Sequence, residues 1–255
     1  DPNATMDDGS CIYCNINDSL IFTTCNQTGS QGPTQSQVNT EYSGTNLDGD
    51  VTISTQGIQE WTVPFTGIYN IEAYGAQGGF GGGNSGGLGA KMQGDFSLNA
   101  GQVIQIVVGQ EGVYNAGFSS NDAGPGGGGS FVVDLATGNP IIIAGGGGGG
   151  GQNSSGDDGV TTTSGTSGIS GSSGAGGING GGGGGALNGT AGDGIIPGGD
   201  GSSCSYGAGG GGFYSRGGYN CSGSAPLISG NSFISGATGG TGDYSRGGTD
   251  GGFGG

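Results

Sequence analysis

Apolar and polar positions alternate with a period of two along much of the first half of the chain. Tyr69, Ile71 and Ala73 alternate with Asn70 and Glu72, and Met92, Phe96 and Leu98 alternate with Lys91, Gln93, Asp95 and Ser97, the spacing of half-buried strands. Asn99-Ala100-Gly101 turns the chain into 103–108, where Ile104, Ile106 and Val108 share one face and Val103 and Val107 the other. A strand apolar on both faces belongs in the middle of a sandwich. Thr66-Gly67, between 61–65 and 68–74, and Thr137-Gly138-Asn139-Pro140, between 131–135 and 141–144, read as hairpin turns. No capped stretch with helical periodicity is read here. Residues 21–144 are therefore expected to be all-β, with no α-helix and with Trp61, Tyr69, Ile71, Phe96, Ile104 and Ile106 in the core.

The pattern changes at 145. Unbroken glycine runs over 145–151, 180–185 and 209–212, separated by Ser/Thr/Asn/Asp tracts, and Tyr-Ser-Arg-Gly-Gly occurs at both 214–218 and 244–248. Glycine supplies 73 of the 255 residues, without the strict Gly-X-Y period of collagen. Such runs have two physical fates. As linkers they stay unfrozen. As ordered structure, seven residues cost roughly 7–14 kcal/mol of backbone entropy, with no side chain buried in return. Close lateral approach of extended threefold helices, each hydrogen bond contributing about 1 kcal/mol net, can offset this only in a cooperative bundle.

Charge narrows the function. Three cations, Lys91, Arg216 and Arg246, stand against 19 acids, for a net charge of −16. Such a chain repels phosphate backbones and anionic lipid, so no nucleic-acid partner is expected. No apolar run approaches the ~20 residues of a membrane span. Histidine is absent, which removes His-based triads and most zinc sites. Asp1, Asn3, Thr5, Asp7 and Asp8 have the alternate spacing that opens an EF-hand loop. Met6 replaces the glycine and Ile12 the bidentate glutamate, so calcium held by Asp1, Asn3, Asp7 and Asp8 would be a weak site, and an acidic turn is the plainer reading. Gly145, Gly147 and Gly150 match a dinucleotide fingerprint without the helix that must follow it. No catalytic residue and no other cofactor is assigned; the chain is read as not an enzyme.

Five cysteines, at 11, 14, 25, 204 and 221, suit disulfides in an oxidising compartment, with one thiol left over. Cys204 and Cys221, both in the glycine-rich part, are expected to pair and close a loop of about 18 residues, for roughly 3 kcal/mol in the chain-entropy model. Sequons at Asn3, Asn17, Asn26, Asn153, Asn188 and Asn220 are expected by chance in so Asn/Ser/Thr-rich a chain.

An ordered series of motifs carries a resemblance. Phe22-Thr23-Thr24-Cys25, Gly32-Pro33-Thr34-Gln35-Ser36-Gln37, Tyr42-Ser43-Gly44-Thr45-Asn46, Gly57-Ile58-Gln59-Glu60-Trp61-Thr62-Val63-Pro64 and Ile71-Glu72-Ala73-Tyr74-Gly75-Ala76 are followed by Gly94-Asp95-Phe96-Ser97-Leu98, Val107-Val108-Gly109-Gln110, 126–133 and 143–151. Together they resemble the extracellular glycine-rich domain of the anaplastic lymphoma kinase and leukocyte tyrosine kinase receptors, over about 22–255. The resemblance implies a jelly-roll-like β-sandwich carrying a bundle of polyglycine helices, and so ordered glycine runs. That family has a cysteine where this chain has Val38, so Cys25 has lost its usual partner and Cys14 is the nearest substitute. Asp1–Tyr13 resembles the second half of small acidic modules of large secreted bacterial proteins, with the upstream cysteine missing, which leaves Cys11 for a partner outside this chain.

The expected organisation is an acidic arm over 1–20, a β-sandwich over 21–144 and a glycine-rich bundle over 145–255. The expected function is that of an extracellular or cell-surface structural protein that joins copies of itself head to tail into a fibre or matrix. The contacts would be made by the arm and by backbone groups left unpaired at Gly251-Gly252-Phe253-Gly254-Gly255. The alternative is an adhesin or receptor-like module for a basic protein or a glycan.

Overall fold

Antiparallel pairing of the alternating segments organises the computed structural model of the chain, which describes residues 19–81, 83–113, 124–151, 154–167, 178, 191, 210–218, 229–241 and 250–254. Seven strands lie among the described residues: β1 (Val51–Thr55), β2 (Ile58–Thr62), β3 (Gly67–Tyr74), β4 (Lys91–Leu98), β5 (Val103–Val107), β6 (Ser130–Asp134) and β7 (Pro140–Ala144). Five of them form a sheet in the order β1-β2-β5-β6-β7, and β3 pairs with β4 in a second sheet. The fold is therefore mostly β. As its two apolar faces require, β5 lies at the centre of the larger sheet. Ile104 and Ile106 face a cluster with Trp61, Ala73, Leu98 and Ile142, while Val107 faces the opposite side with Ile58, Phe131 and Val133.

The two-stranded sheet covers the first of these clusters. Tyr69, Ile71, Met92 and Phe96 point inward and are half-buried, while Asn70, Glu72, Gln93 and Asp95 face solvent. All six residues expected in the core lie in this cluster or pack against it. Edge-to-face contacts link Phe22 to Trp61 (6.2 Å) and Trp61 to Tyr69 (6.1 Å).

Two expectations are corrected. Thr66-Gly67 does not close a hairpin, because β2 pairs with β1 and β5, and β3 with β4. Val63 still exchanges hydrogen bonds with the start of β5, through Gln102 O and Gly101 N–H (2.8 Å each). Pro64 then has no N–H to continue the ladder, and the chain passes to the other sheet. The expected hairpin at 137–140 is present between β6 and β7. The expected absence of α-helix also fails: α1 spans Gln35–Tyr42. Its start is a Thr-x-x-Gln capping signature, in which Gln37 Oε1 accepts from the N–H (2.8 Å) and the hydroxyl (2.9 Å) of Thr34. Val38 and Tyr42, one turn apart, are buried. An apolar stripe of two residues is too short to register as helical periodicity.

The second face of the five-stranded sheet is covered by glycine-rich chain. Phe213, Phe233, Ala237 and Phe253 are buried against Ile58, Val107, Phe131 and Val133, and the Phe213 and Phe233 rings stack at 5.2 Å. Alongside them, the 145–151 run meets its neighbours at every third residue. Gly147 and Gly150 N–H donate to Ala76 and Gly79 O (2.9 Å each); Gly145 and Gly148 O accept from Ala90 (2.8 Å) and Gly87 (2.9 Å); Gly147 and Gly150 O accept from Gly127 (2.9 Å) and Gly124 (2.6 Å). A Cβ on Gly146, Gly147 or Gly149 would stand 2.0 Å from the carbonyl oxygen of Gly127, Gly87 or Gly124. Only glycine permits that approach.

The last described residues close the same layer. Gly252, Phe253 and Gly254 N–H donate to Gly126 O (3.0 Å), Gly29 O (2.7 Å) and Ala237 O (2.7 Å). The Phe253 ring, fully buried, lies where a Cβ on Gly57 would come within 2.2 Å of it. The unpaired backbone expected at Gly251–Gly254 is thus paired internally.

Gly147→Ala should destabilise the protein by about 1–3 kcal/mol or more, because backbone rather than a pliable side chain must move. Gly67→Ala, where an added Cβ meets nothing within 4 Å, should change stability by less than ~0.5 kcal/mol. Ile104→Ala, at 1% exposure, should cost about 2–5 kcal/mol. Denaturant titration measures all three; equal effects at the two glycines would refute the packing argument.

Candidate functional site

The segment 20–25 and α1 meet over β2 through a polar cluster sunk into the apolar core. Tyr42 places its hydroxyl beside β2, where it donates to Gln59 Oε1 (2.6 Å) and accepts from Thr23 N–H (3.0 Å). Gln59, with no exposed surface, returns its amide to Thr23 O (2.9 Å). Above this ring, Glu41 accepts from Thr23 Oγ1 (3.0 Å) and from Asn26 Nδ2 (2.7 Å). Burial pushes the Tyr42 hydroxyl up to about 12 and also raises the Cys25 thiol. A buried thiol held protonated is a poor nucleophile, and the hydrogen bonds of the cluster fasten the 20–25 segment, α1 and β2 together. An open groove of about 350 Å³ borders it, lined by Leu20, Ile21, Glu41, Tyr42, Asn46 and Leu47 among others.

Cys25 is a free buried thiol in a tight turn closed by Gln27 N–H to Thr24 O (3.0 Å). The turn holds Cys25 and Asn26 at φ 51° and 59°. Cys14, its expected partner, lies outside the described residues, as do Cys204 and Cys221 and the calcium candidates Asp1, Asn3, Asp7 and Asp8. Val38, where the resembled family carries cysteine, is 1% exposed and belongs to the same buried cluster as Cys25. Among the described residues no group of three His, Cys, Asp or Glu side chains is placed to hold a metal ion. Nor is any helix among them long and apolar enough to cross a membrane.

A second constellation lies on the solvent face of the β3–β4 sheet. Lys91 pairs with Glu72 at 2.8 Å and sits 5.2 Å from the centre of the Tyr74 ring, while the Tyr74 hydroxyl donates to Glu72. The bond from Lys91, then that from Tyr74, holds the Glu72 carboxyl below its ordinary value, and the same bond raises Lys91. Asn70 donates to Asp95 (2.6 Å) and accepts from Gln93 (2.8 Å). Sequence reasoning named the strand positions but missed both constellations. Cross-strand neighbours depend on the register Tyr74↔Lys91 through Gly67↔Leu98, which one strand alone does not reveal.

No protein-family model matches the chain. Over 113 residues it is 40% identical to the leukocyte tyrosine kinase receptor of Mus musculus, a match covering 42% of this chain and 12% of the receptor. That similarity supports relatedness to the extracellular region of that receptor family. The matched region spans about an eighth of the length of this curated relative.

Tyr42→Phe leaves Thr23 N–H and Gln59 Oε1 unpaired in the interior and should cost about 1–3 kcal/mol. Because the folded state holds the phenolic proton more tightly than the unfolded chain, with an ordinary value of 10.0, this contribution is whole below pH 10. It is lost as pH rises towards 12. The stability gap between wild type and Tyr42→Phe, followed by denaturant titration, should narrow over that window. A constant gap would show that the hydroxyl is not held protonated by burial.

Proposed function

We propose that the protein is a non-enzymatic, extracellular structural protein that assembles with copies of itself into a surface fibre or matrix. The observation that carries this reading is the glycine layer, in which rigidity resides in main chain packed against main chain. The recurrence of each neighbour at every third residue of 145–151 supports an assignment of that run as a threefold polyglycine helix, a stiff and chemically bare element suited to load-bearing. Relatedness to a receptor's extracellular region, and the cysteine usage, favour a location outside the cell; Asp1–Tyr13 favours a secreted bacterial setting. Copies join head to tail through the arm over 1–20, and a net charge of −16 disfavours sideways clumping. A contact of this kind that does not close on itself gives a filament.

A second reading, an adhesin or receptor-like module for a basic protein or a glycan, draws on the open groove beside Glu41 and on the similarity to a receptor. Negative-stain micrographs of the purified chain decide between them. Repeating fibres, lost when residues 1–20 are removed, are the expected result. A monodisperse particle that binds a basic protein or a glycan would establish the second reading instead.

A further inference from the structure

We infer that the outer edge of β4 is the acceptor for a strand supplied by residues 11–17 of a second copy, an inference that rests on the self-association reading above.

The β3–β4 ladder continues into a hydrogen bond from Gly75 N–H to Ala90 O (2.9 Å), in the register of Tyr74↔Lys91. Pairs alternate along an antiparallel ladder, so the bonded β4 residues are the even-numbered ones. The backbone N–H and C=O of Lys91, Gln93, Asp95 and Ser97 therefore point away from β3. Among the described residues no other strand pairs with β4. An unpaired, regular edge of eight residues is a template for strand addition.

The edges of the five-stranded sheet are guarded. At the outer edge of β1, Gln35 replaces a neighbouring strand: its Oε1 accepts from Ile53 N–H (2.7 Å) and its amide donates to Val51 O (3.0 Å). On β7 the edge carries Pro140 and a register irregularity. The outer side of β3 is met only at its end, where Ser130 Oγ donates to Tyr74 O (2.5 Å). Among the described residues the edge of β4 carries none of these contacts over its whole length.

The edge also has an incomplete interior. Met92 and Phe96 point towards the core yet remain half-buried. The missing strand must be apolar on alternate positions, polar between them, and of a charge that tolerates Lys91. Residues 11–17 read Cys-Ile-Tyr-Cys-Asn-Ile-Asn: Ile12, Cys14 and Ile16 fall on one face, and Tyr13, Asn15 and Asn17 on the other. At ~3.3 Å per residue, seven residues run about 23 Å, close to the length of β4. In the complex, Ile12 and Ile16 cover Met92 and Phe96, while the backbone satisfies the outward groups of β4. Because each copy offers one arm and one edge, the contact propagates.

The experiment uses three full-length chains. Ile16→Asp spoils the arm and keeps the edge. Gln93→Pro removes an N–H that points away from β3 and keeps the arm; circular dichroism confirms that both fold. In sedimentation velocity the wild type should form long assemblies and each variant alone should stay monomeric. An equimolar mixture of the variants should stop at a heterodimer, since one good arm meets one good edge and the other pair is spoiled. If the wild type assembles and either variant assembles as well as it does, or the mixture yields no heterodimer, the β4 docking is overturned while self-association stands. If the wild type remains monomeric into the sub-millimolar range, both are overturned.

Discussion

Backbone packed on backbone, at separations no Cβ could share, is the constraint on which this molecule depends. Freezing glycine is entropically costly, and the runs bury no side chain. What holds the 145–151 run is that it is bonded to several neighbours at once: to 76–79 on one flank, to 87–90 on another and to 124–127 on a third. No pair of these segments would persist alone, so the layer forms or fails as a unit.

The sandwich and the glycine layer meet in the central sheet. β5 is apolar on both faces because one face meets the β3–β4 sheet and the other meets Phe213, Phe233 and Phe253. Those few aromatics give the glycine-rich chain its apolar footing. Phe253 in turn fits only because positions 32 and 57 are glycine, each of which would otherwise drive a Cβ into its ring. Side-chain packing and main-chain packing thus depend on one another at the same residues.

The polar ring of Thr23, Tyr42 and Gln59 fastens the 20–25 segment while Cys25 stays a free thiol. With Val38 buried in the same cluster as Cys25, the 20–25 segment is held by hydrogen bonds to Tyr42 and Gln59 and by the ring contacts of Phe22. Both polar atoms of the buried Gln59 amide have a partner, which offsets the cost of burying them. The Gln110 amide, 1% exposed, has none among the described residues.

The sequence by itself determined that 69–73 and 92–98 are strands and which of their faces is buried, because a period of two is a local signal; it left 51–55 unread. It determined the place of β5 in mid-sheet, because a strand apolar on both sides has nowhere else to go. Thr34-x-x-Gln37 also carried the start of α1, although two buried residues on one helical face are too few to stand out as a period. Tertiary structure decided the rest. Val63 and Pro64 look like the arm of a hairpin until the ladder with Gln102 and Gly101 shows Pro64 ending it and sending the chain across to the second sheet. The ring of Tyr42 and Gln59 joins residues 17 apart, and the Glu72–Lys91 pair exists only in one register. Above all, glycine is the same letter in a loose linker and in a locked layer. The difference lies in whether other backbone comes within hydrogen-bonding reach, which is a property of the assembled chain and not of the run.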